Sequence, residues 1–268
     1  MSKIVEALVV NQDEISPGHF RLRLAAPEVA GLAVPGQFLQ LSVGNTLDPL
    51  LRRPLSIHDV DEAKGEVLLF YRVAGRGTGL LARKGAGATV NLLGPLGREF
   101  TPPTADSQPV LVAGGMGIAP LFFLLRKLAQ RGRLAQVFLG AVTAELLFFR
   151  EEIQAMEHQL HLATDDGSLG YKGTVTSLLA DYLADLPPTE RCQQMVYSCG
   201  PPGMLKHICS ILNKTGLPGE ISLEEHMGCG VGACLSCVCK IKEEQDDWRY
   251  QRICTEGPVF PAAKVVWA

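Results

Sequence analysis

Five of the eight cysteines in this 268-residue chain lie between Met227 and Cys254, in MGCGVGACLSCVCKIKEEQDDWRYQRIC. Cysteines this crowded can form disulfides, ligate zinc, hold an iron–sulfur cluster or pack as small apolar thiols. Cys229, Cys234 and Cys237 make C-x4-C-x2-C, with Cys254 further on, which is the spacing of a plant-type [2Fe–2S] site. Zinc sites usually pair ligands as CxxC…CxxC, and here only Cys234 and Cys237 have that spacing. Gly228, Gly230 and Gly232 would let a loop wrap closely and aim N–H groups at bridging sulfides. Zinc and unliganded thiols remain the alternatives. Spacing also leaves Cys239 and Cys254 competing for the fourth place. The segment VCKIKEE reads as an outgoing strand that carries Cys239 away. A hairpin through the charged turn KEEQDD would bring Cys254 back to the loop.

Other residues suit phosphate binding. AGGMGIAP follows an apolar run and opens a helix, so Gly114, Gly115 and Gly117 allow a diphosphate close to free helical N–H groups. The same turn also occurs in α/β proteins that bind nothing there. In LLRRPLSIHD, arginines abut a proline in apolar surroundings. Arg53 suits bidentate phosphate binding, and the Ser56 hydroxyl suits a flavin ring edge, though a solvated strand end reads equally well. YRVAGRGTGLL adds a glycine-rich turn with Thr78. YSCGPPGML places Cys199 at a strand end, where α/β sheets bind ligands and where small buried cysteines are also common. Cys192 and Cys209 read as structural. The scattered histidines make no metal-ligand pair, and no Ser/His/Asp arrangement emerges.

These residues must be positioned by distinct units. The first hundred residues hold short strand-like runs between turns, with Phe20, Leu22 and Leu24 alternating against His19, Arg21 and Arg23. That pattern predicts an antiparallel barrel over 1–101. After TPPTADSQP, strand and helix patterns alternate over 102–218, the beat of a parallel α/β sheet. The cysteine lobe would occupy 219–268. Between Asp106 and Arg126 no charge appears, but Gly114, Gly115, Gly117 and Pro120 interrupt the run, which reads as strand, turn and helix rather than a membrane span. The net charge of −3 gives no basic footprint for nucleic acid or anionic membrane. No secretory signal pattern opens the chain, so a cytoplasmic setting is expected, where clustered cysteines more often hold metal than form disulfides.

The order of an Arg-Pro-Leu-Ser strand end, a Gly-Thr turn, GGxGxAP, a Cys-Gly-Pro strand end and C-x4-C-x2-C…C resembles the ferredoxin–NADP reductase superfamily. SLEEHMGCGVGACLSCVCK and CTEGPVF are more closely similar to the electron-transfer subunits of class 1B dihydroorotate dehydrogenases. The resemblance covers essentially the whole chain. It implies an α+β multidomain protein: an FAD-binding barrel, a nucleotide-binding α/β domain and a [2Fe–2S] lobe. By resemblance, Arg53, Pro54, Leu55 and Ser56 would bind FAD, with Tyr71, Arg72, Val73, Gly77 and Thr78 completing its site. Gly114, Gly115, Gly117 and Cys199 would face NAD. Cys229, Cys234, Cys237 and Cys254 would hold the cluster, the last lying just before EGPVF as the family pattern has it. His226 stands where arginine is expected, and Cys239 is additional. The implied partner is an FMN-containing dihydroorotate dehydrogenase catalytic subunit, in a heterotetramer of two of each. Reductase subunits serving sulfite, hydrogenase or ferredoxin are the near alternative, and a zinc-binding interaction module the distant one. NADP-specific relatives place serine and arginine after the third α/β strand, whereas ATDDGSLG offers Asp165 and Asp166, which implies a preference for NADH unless both merely make a turn.

Overall fold

Residues 2–44, 48–243 and 247–267 are described by the computed structural model. Glu244, Gln245 and Asp246 of the expected KEEQDD turn lie outside them. Six strands close an antiparallel barrel in the order β1-β2-β5-β4-β3-β6. They are β1 (Lys3–Ser16), β2 (His19–Ala25), β3 (Phe38–Ser42), β4 (Arg53–Asp61), β5 (Glu66–Arg72) and β6 (Thr89–Leu96). Alternation drives closure: Leu22, Leu24, Leu39, Leu41, Leu69 and Leu92 are fully buried in one core, while Arg21 and Arg23 point outward. Two short helices decorate the barrel, α1 (Pro27–Ala30) and α2 (Arg76–Leu81).

A seven-stranded sheet follows, β10-β9-β8-β7-β11-β12-β15. Its strands are β7 (Gln108–Gly114), β8 (Gln136–Ala141), β9 (Gln159–Thr164), β10 (Tyr171–Lys172), β11 (Gln194–Cys199), β12 (Gly219–Ser222) and β15 (Val259–Pro261). All pair in parallel except β15, which runs antiparallel to β12. Helices α3 (Ile118–Gln130), α4 (Arg150–Ala155), α5 (Val175–Asp185), α6 (Pro188–Arg191) and α7 (Pro202–Thr215) make the crossovers. The charge-free run thus divides into β7 and α3, and no helix among the described residues is long and apolar enough to cross a membrane. Strand order reverses between β7 and β11, which opens a crevice at their carboxyl ends.

The cysteine lobe has a hairpin, β13 (Val238–Lys242) with β14 (Trp248–Arg252), flanked by β16 (Val265–Val266). It does not stand apart. Its Ile241, Ile253, Cys254 and Val265 share a core with Val196, Ile208 and Leu212 of the α/β unit, and β12 and β15 join the central sheet from within 219–268.

A bulge in β4 fixes the barrel against α3. The β4–β5 register shifts between Ile57 and Asp59, so His58 and Asp59 are both buried. His58 stacks on Phe122 and meets Phe149 at a tilt, each with a centroid 4.4 Å away, and its Nδ1 lies 3.1 Å from the Ala119 carbonyl oxygen. Arg126 of α3 pairs with Asp59 at 2.7 Å and donates to the Val60 carbonyl. Burial lowers His58 to about 3, with Arg21 and Arg126 adding repulsion against the Ala119 hydrogen bond. Burial also raises Asp59 to about 6 despite its arginine partner. The two act oppositely. The unfolded chain takes a proton at His58 below about 6.5 that the native state refuses until about 3, so stability falls with acid across that window. Native Asp59 holds a proton between about 6 and its ordinary 3.8 that the unfolded chain has lost, which offsets most of the effect there. Removing only the imidazole should unmask this. Relative to its own value at pH 7.5, His58→Phe is expected to gain about 2 kcal/mol over the parent at pH 5, read from urea midpoints. A pH-independent difference would refute it.

Candidate functional site

The loop from Met227 to Cys237 contains no strand and precedes β13 directly. Its geometry sorts the cysteines into pairs. Cys229 accepts hydrogen bonds at Sγ from the N–H groups of Val231, Ala233 and Cys234, at 3.4, 3.3 and 3.4 Å. Desolvation opposes its ionisation, but those amides and the Cys234 thiol bring it down to about 6. Cys237 and Cys254 form a second, buried pair in thiol–thiol contact, and burial together with Cys237 pushes Cys254 up to about 12. The hairpin makes this pair: β13 meets β14 with Val238 opposite Arg252, and the Ile253 N–H bonds to the Cys237 carbonyl at 2.8 Å. Among the described residues, no three histidine, cysteine or acidic side chains converge on one ion position. Two separate thiol pairs, one ringed by amide donors, suit a dinuclear cluster better than mononuclear zinc. Cys239 goes elsewhere. It lies opposite Gln251, half buried, packs on the shared core and lines the cleft described next.

That cleft has a volume of about 1020 Å³ and runs from the Gly114–Gly117 turn to Tyr250 and Trp267 of the cysteine lobe. Gly114, Gly115 and Gly117 all line it, as do Gly200 and Pro201. Cys199 does not. Its side chain is fully buried, and its thiol is held well above the usual range by that burial and by Glu224. Its backbone matters instead, because a Cβ on Gly117 would fall 2.0 Å from the Cys199 carbonyl oxygen. Of the two aspartates, Asp165 lines the cleft. Asp166 is occupied in the turn, accepting from the Ser168 N–H and hydroxyl at 2.9 and 2.6 Å.

On the barrel, the paired arginines divide their work. Arg52 donates to the carbonyls of Gln40 and Asn91 and to the Asn91 side chain, so it ties strands together. Arg53 reaches over Gly77, where a Cβ would meet its Nε at 2.0 Å, and this brings the two flavin-motif segments together. Such a cradle fits a diphosphate, with guanidinium donors beside the α2 turn. Thr78 caps that turn, its hydroxyl oxygen accepting from the Ala74 and Gly75 N–H groups. Pro54, Leu55 and Ser56 are half buried along β4, and Arg72 and Val73 are exposed at the end of β5. Tyr71 faces the other way, buried in the barrel with its hydroxyl 2.9 Å from Gln12. His19 and Met116, which spacing did not single out, line the cleft.

Comparison with known proteins bears on this arrangement. Residues 111–210 match the oxidoreductase NAD-binding domain family, and residues 224–266 match the iron-sulfur cluster binding domain of dihydroorotate dehydrogenase B. The electron transfer subunit of dihydroorotate dehydrogenase B (NAD(+)) from Desulforamulus reducens is 45% identical over 100% of both chains. The subunit of the same name from Geobacillus kaustophilus is 40% identical over 96% of each. The chain belongs to this family. Its fold also matches a structure of the NADH-dependent reduced ferredoxin-NADP oxidoreductase, at a TM-score of 0.84 and 28% identity, covering 100% of this chain and 92% of that one. A Neisseria gonorrhoeae ferredoxin NADP+ reductase with bound FAD and NADP shares the fold over 80% of this chain and 92% of that one, at a TM-score of 0.66 and 21% identity. Membership of the dihydroorotate dehydrogenase B electron-transfer family accounts for the reductase fold and the cysteine lobe within one chain.

Proposed function

We propose that this chain passes electrons between NAD(H) and an FMN-containing dihydroorotate dehydrogenase catalytic subunit in pyrimidine synthesis, within a heterotetramer of two of each. The observation that carries the reading is the pair of thiol pairs on a lobe sharing both core and cleft with the NAD-binding unit. Full-length relatives bearing the subunit's name support the choice of partner over sulfite, hydrogenase or ferredoxin.

Cys229, Cys234, Cys237 and Cys254 would hold the [2Fe–2S] cluster, and Arg53 with the Gly77–Thr78 turn would hold the FAD diphosphate. Pro54, Leu55, Ser56, Arg72 and Val73 would border the flavin, and Gly114, Gly115 and Gly117 the NAD diphosphate. When bound, FAD supplies the exchange between the two-electron hydride of the nicotinamide and the single electrons a [2Fe–2S] cluster carries. The protein need not move a proton at a catalytic acid or base for this. Its tasks are to bind, orient and exclude water. The N-terminus of α3 faces the cleft behind the glycine turn and favours the nucleotide's anionic diphosphate. Near Cys234, exposed Val231 and Leu235 form an apolar rim where the catalytic subunit would dock close to the cluster.

The test uses anaerobically prepared chain and separately purified catalytic subunit. The chain alone should oxidise NADH with an artificial acceptor but leave dihydroorotate untouched, and adding the partner should produce NAD⁺-linked oxidation. Dihydroorotate oxidation by the chain alone, or none with the partner present, would overturn the proposal. In the same assay kcat/KM should favour NADH over NADPH, because Asp165 lines the cleft and its carboxylate would repel a 2′-phosphate. Asp165→Ser should reduce that ratio by about tenfold, equivalent to about 1.4 kcal/mol. Equal kcat/KM for the two nucleotides in the parent would remove this role for Asp165.

A further inference from the structure

Gln40 joins the flavin-motif strands to the cysteine loop. In β3 it stands opposite Pro54, so its backbone borders the Arg53–Ser56 segment. Its side chain crosses to the lobe and is 0% exposed. The carboxamide lies against Gly230, where a Cβ would fall 2.8 Å from Gln40 Cγ and 2.9 Å from Nε2. Gly230 has φ +74°, and its neighbours in sequence are Cys229 and Val231, whose N–H bonds to Cys229 Sγ. Among the described residues, Nε2 donates only to Met227 Sδ, at 3.7 Å, and Oε1 is buried without a partner. Packing alone does not favour this arrangement, since leucine would fill the space with no orphaned acceptor.

We infer that Gln40 is a positioning residue for electron passage between flavin and cluster, seating the Cys229 loop on β3 and setting the cluster's reduction potential through its amide dipole. The inference rests on the flavin and iron–sulfur reading above. Hydrogen-bond donors and positive dipole ends beside cluster sulfurs raise the potential, while added negative charge lowers it. One electron moves at each step, and the carboxamide neither gains nor loses an atom. Without it, electrons should remain with the flavin.

The experiment is an anaerobic redox titration of the full chain followed by electron paramagnetic resonance, with FAD and iron contents measured on each sample. Gln40→Met keeps length and volume but removes the amide. It should lower the cluster potential enough to shift the flavin–cluster electron ratio about tenfold, or about 59 mV for a one-electron couple. Gln40→Glu should lower it at least as far. Either variant with normal iron and the parent's potential overturns the inference. Loss of iron from both also overturns it, since Gln40 would then hold the loop's fold without tuning the potential through its amide. A parent chain without an iron–sulfur signal would instead refute the cluster reading itself.

Discussion

Cys254→Ser is expected to abolish the iron–sulfur absorbance, while Cys239→Ser retains it. Cys254 faces Cys237 at the base of the β13–β14 hairpin, and both are almost completely buried. A hydroxyl there would leave one iron short of a thiolate. Cluster occupancy should fall at least about tenfold, since even changes behind a metal's ligands commonly cost 10–100-fold in affinity. Cys239 is near in sequence but belongs to a different surface, opposite Gln251 and beside the nucleotide cleft. Iron analysis and visible spectra of the two variants decide the matter, and the reverse pair of phenotypes would reassign the fourth ligand.

Gly117→Ala should damage the nucleotide unit far more than Gly115→Asn. The reason is space and not backbone angle. Gly117 has φ −61°, which any residue can adopt, yet an added Cβ would strike the Cys199 carbonyl at 2.0 Å and the Gly200 nitrogen at 2.7 Å. Both are backbone atoms at the end of β11, so relief requires β7 and β11 to separate beneath the cleft. Overpacking of this kind costs about 3 kcal/mol, and the displaced turn should lose NADH binding. Gly115 is the converse case. Its φ is +52°, but nothing lies within 4 Å of an added Cβ. Asparagine tolerates that left-handed conformation, so about 1 kcal/mol or less is expected. Urea midpoints of both variants provide the comparison. Equal effects would show that the turn's conformation matters more than its clearance.

Periodicity made much of the architecture legible. Leu22 and Leu24 alternate with arginines because one barrel face is dry and the other wet, and local alternation records that difference. The βαβ beat likewise leaves its mark in buried apolar strands and amphipathic helices. The crowded cysteines were legible because cluster ligands are restricted in type and spacing. Other features depend on contacts no local pattern records. The bulge at His58 is visible only in the pairing of β4 with β5, and it turns consecutive residues to the same side. Tyr71 belongs to a run in which Phe70 and Tyr71 are both buried, so simple alternation does not say which faces the barrel interior. Cys199 ends a strand that Gly117 presses from outside, which leaves the cleft to Gly200 and Pro201. Gln40 did leave a trace: a polar residue among Phe38, Leu39 and Leu41, on the strand face opposite the barrel core. Its meaning depends on a loop nearly two hundred residues later that covers that face.

The pairing of β15 with β12 makes the cysteine lobe unsuitable as a detachable cassette. A chain cut between β12 and the cysteine loop would lose the strand that shields β12, exposing unpaired N–H and C=O groups along that edge. Such a fragment would invite edge-to-edge association. An excised lobe would in turn carry Val259 and Phe260 without the sheet that buries them. Chimeras that exchange the iron–sulfur portion between relatives should therefore carry β12 and α7 along with it, making the exchangeable unit larger than the cysteine motif suggests.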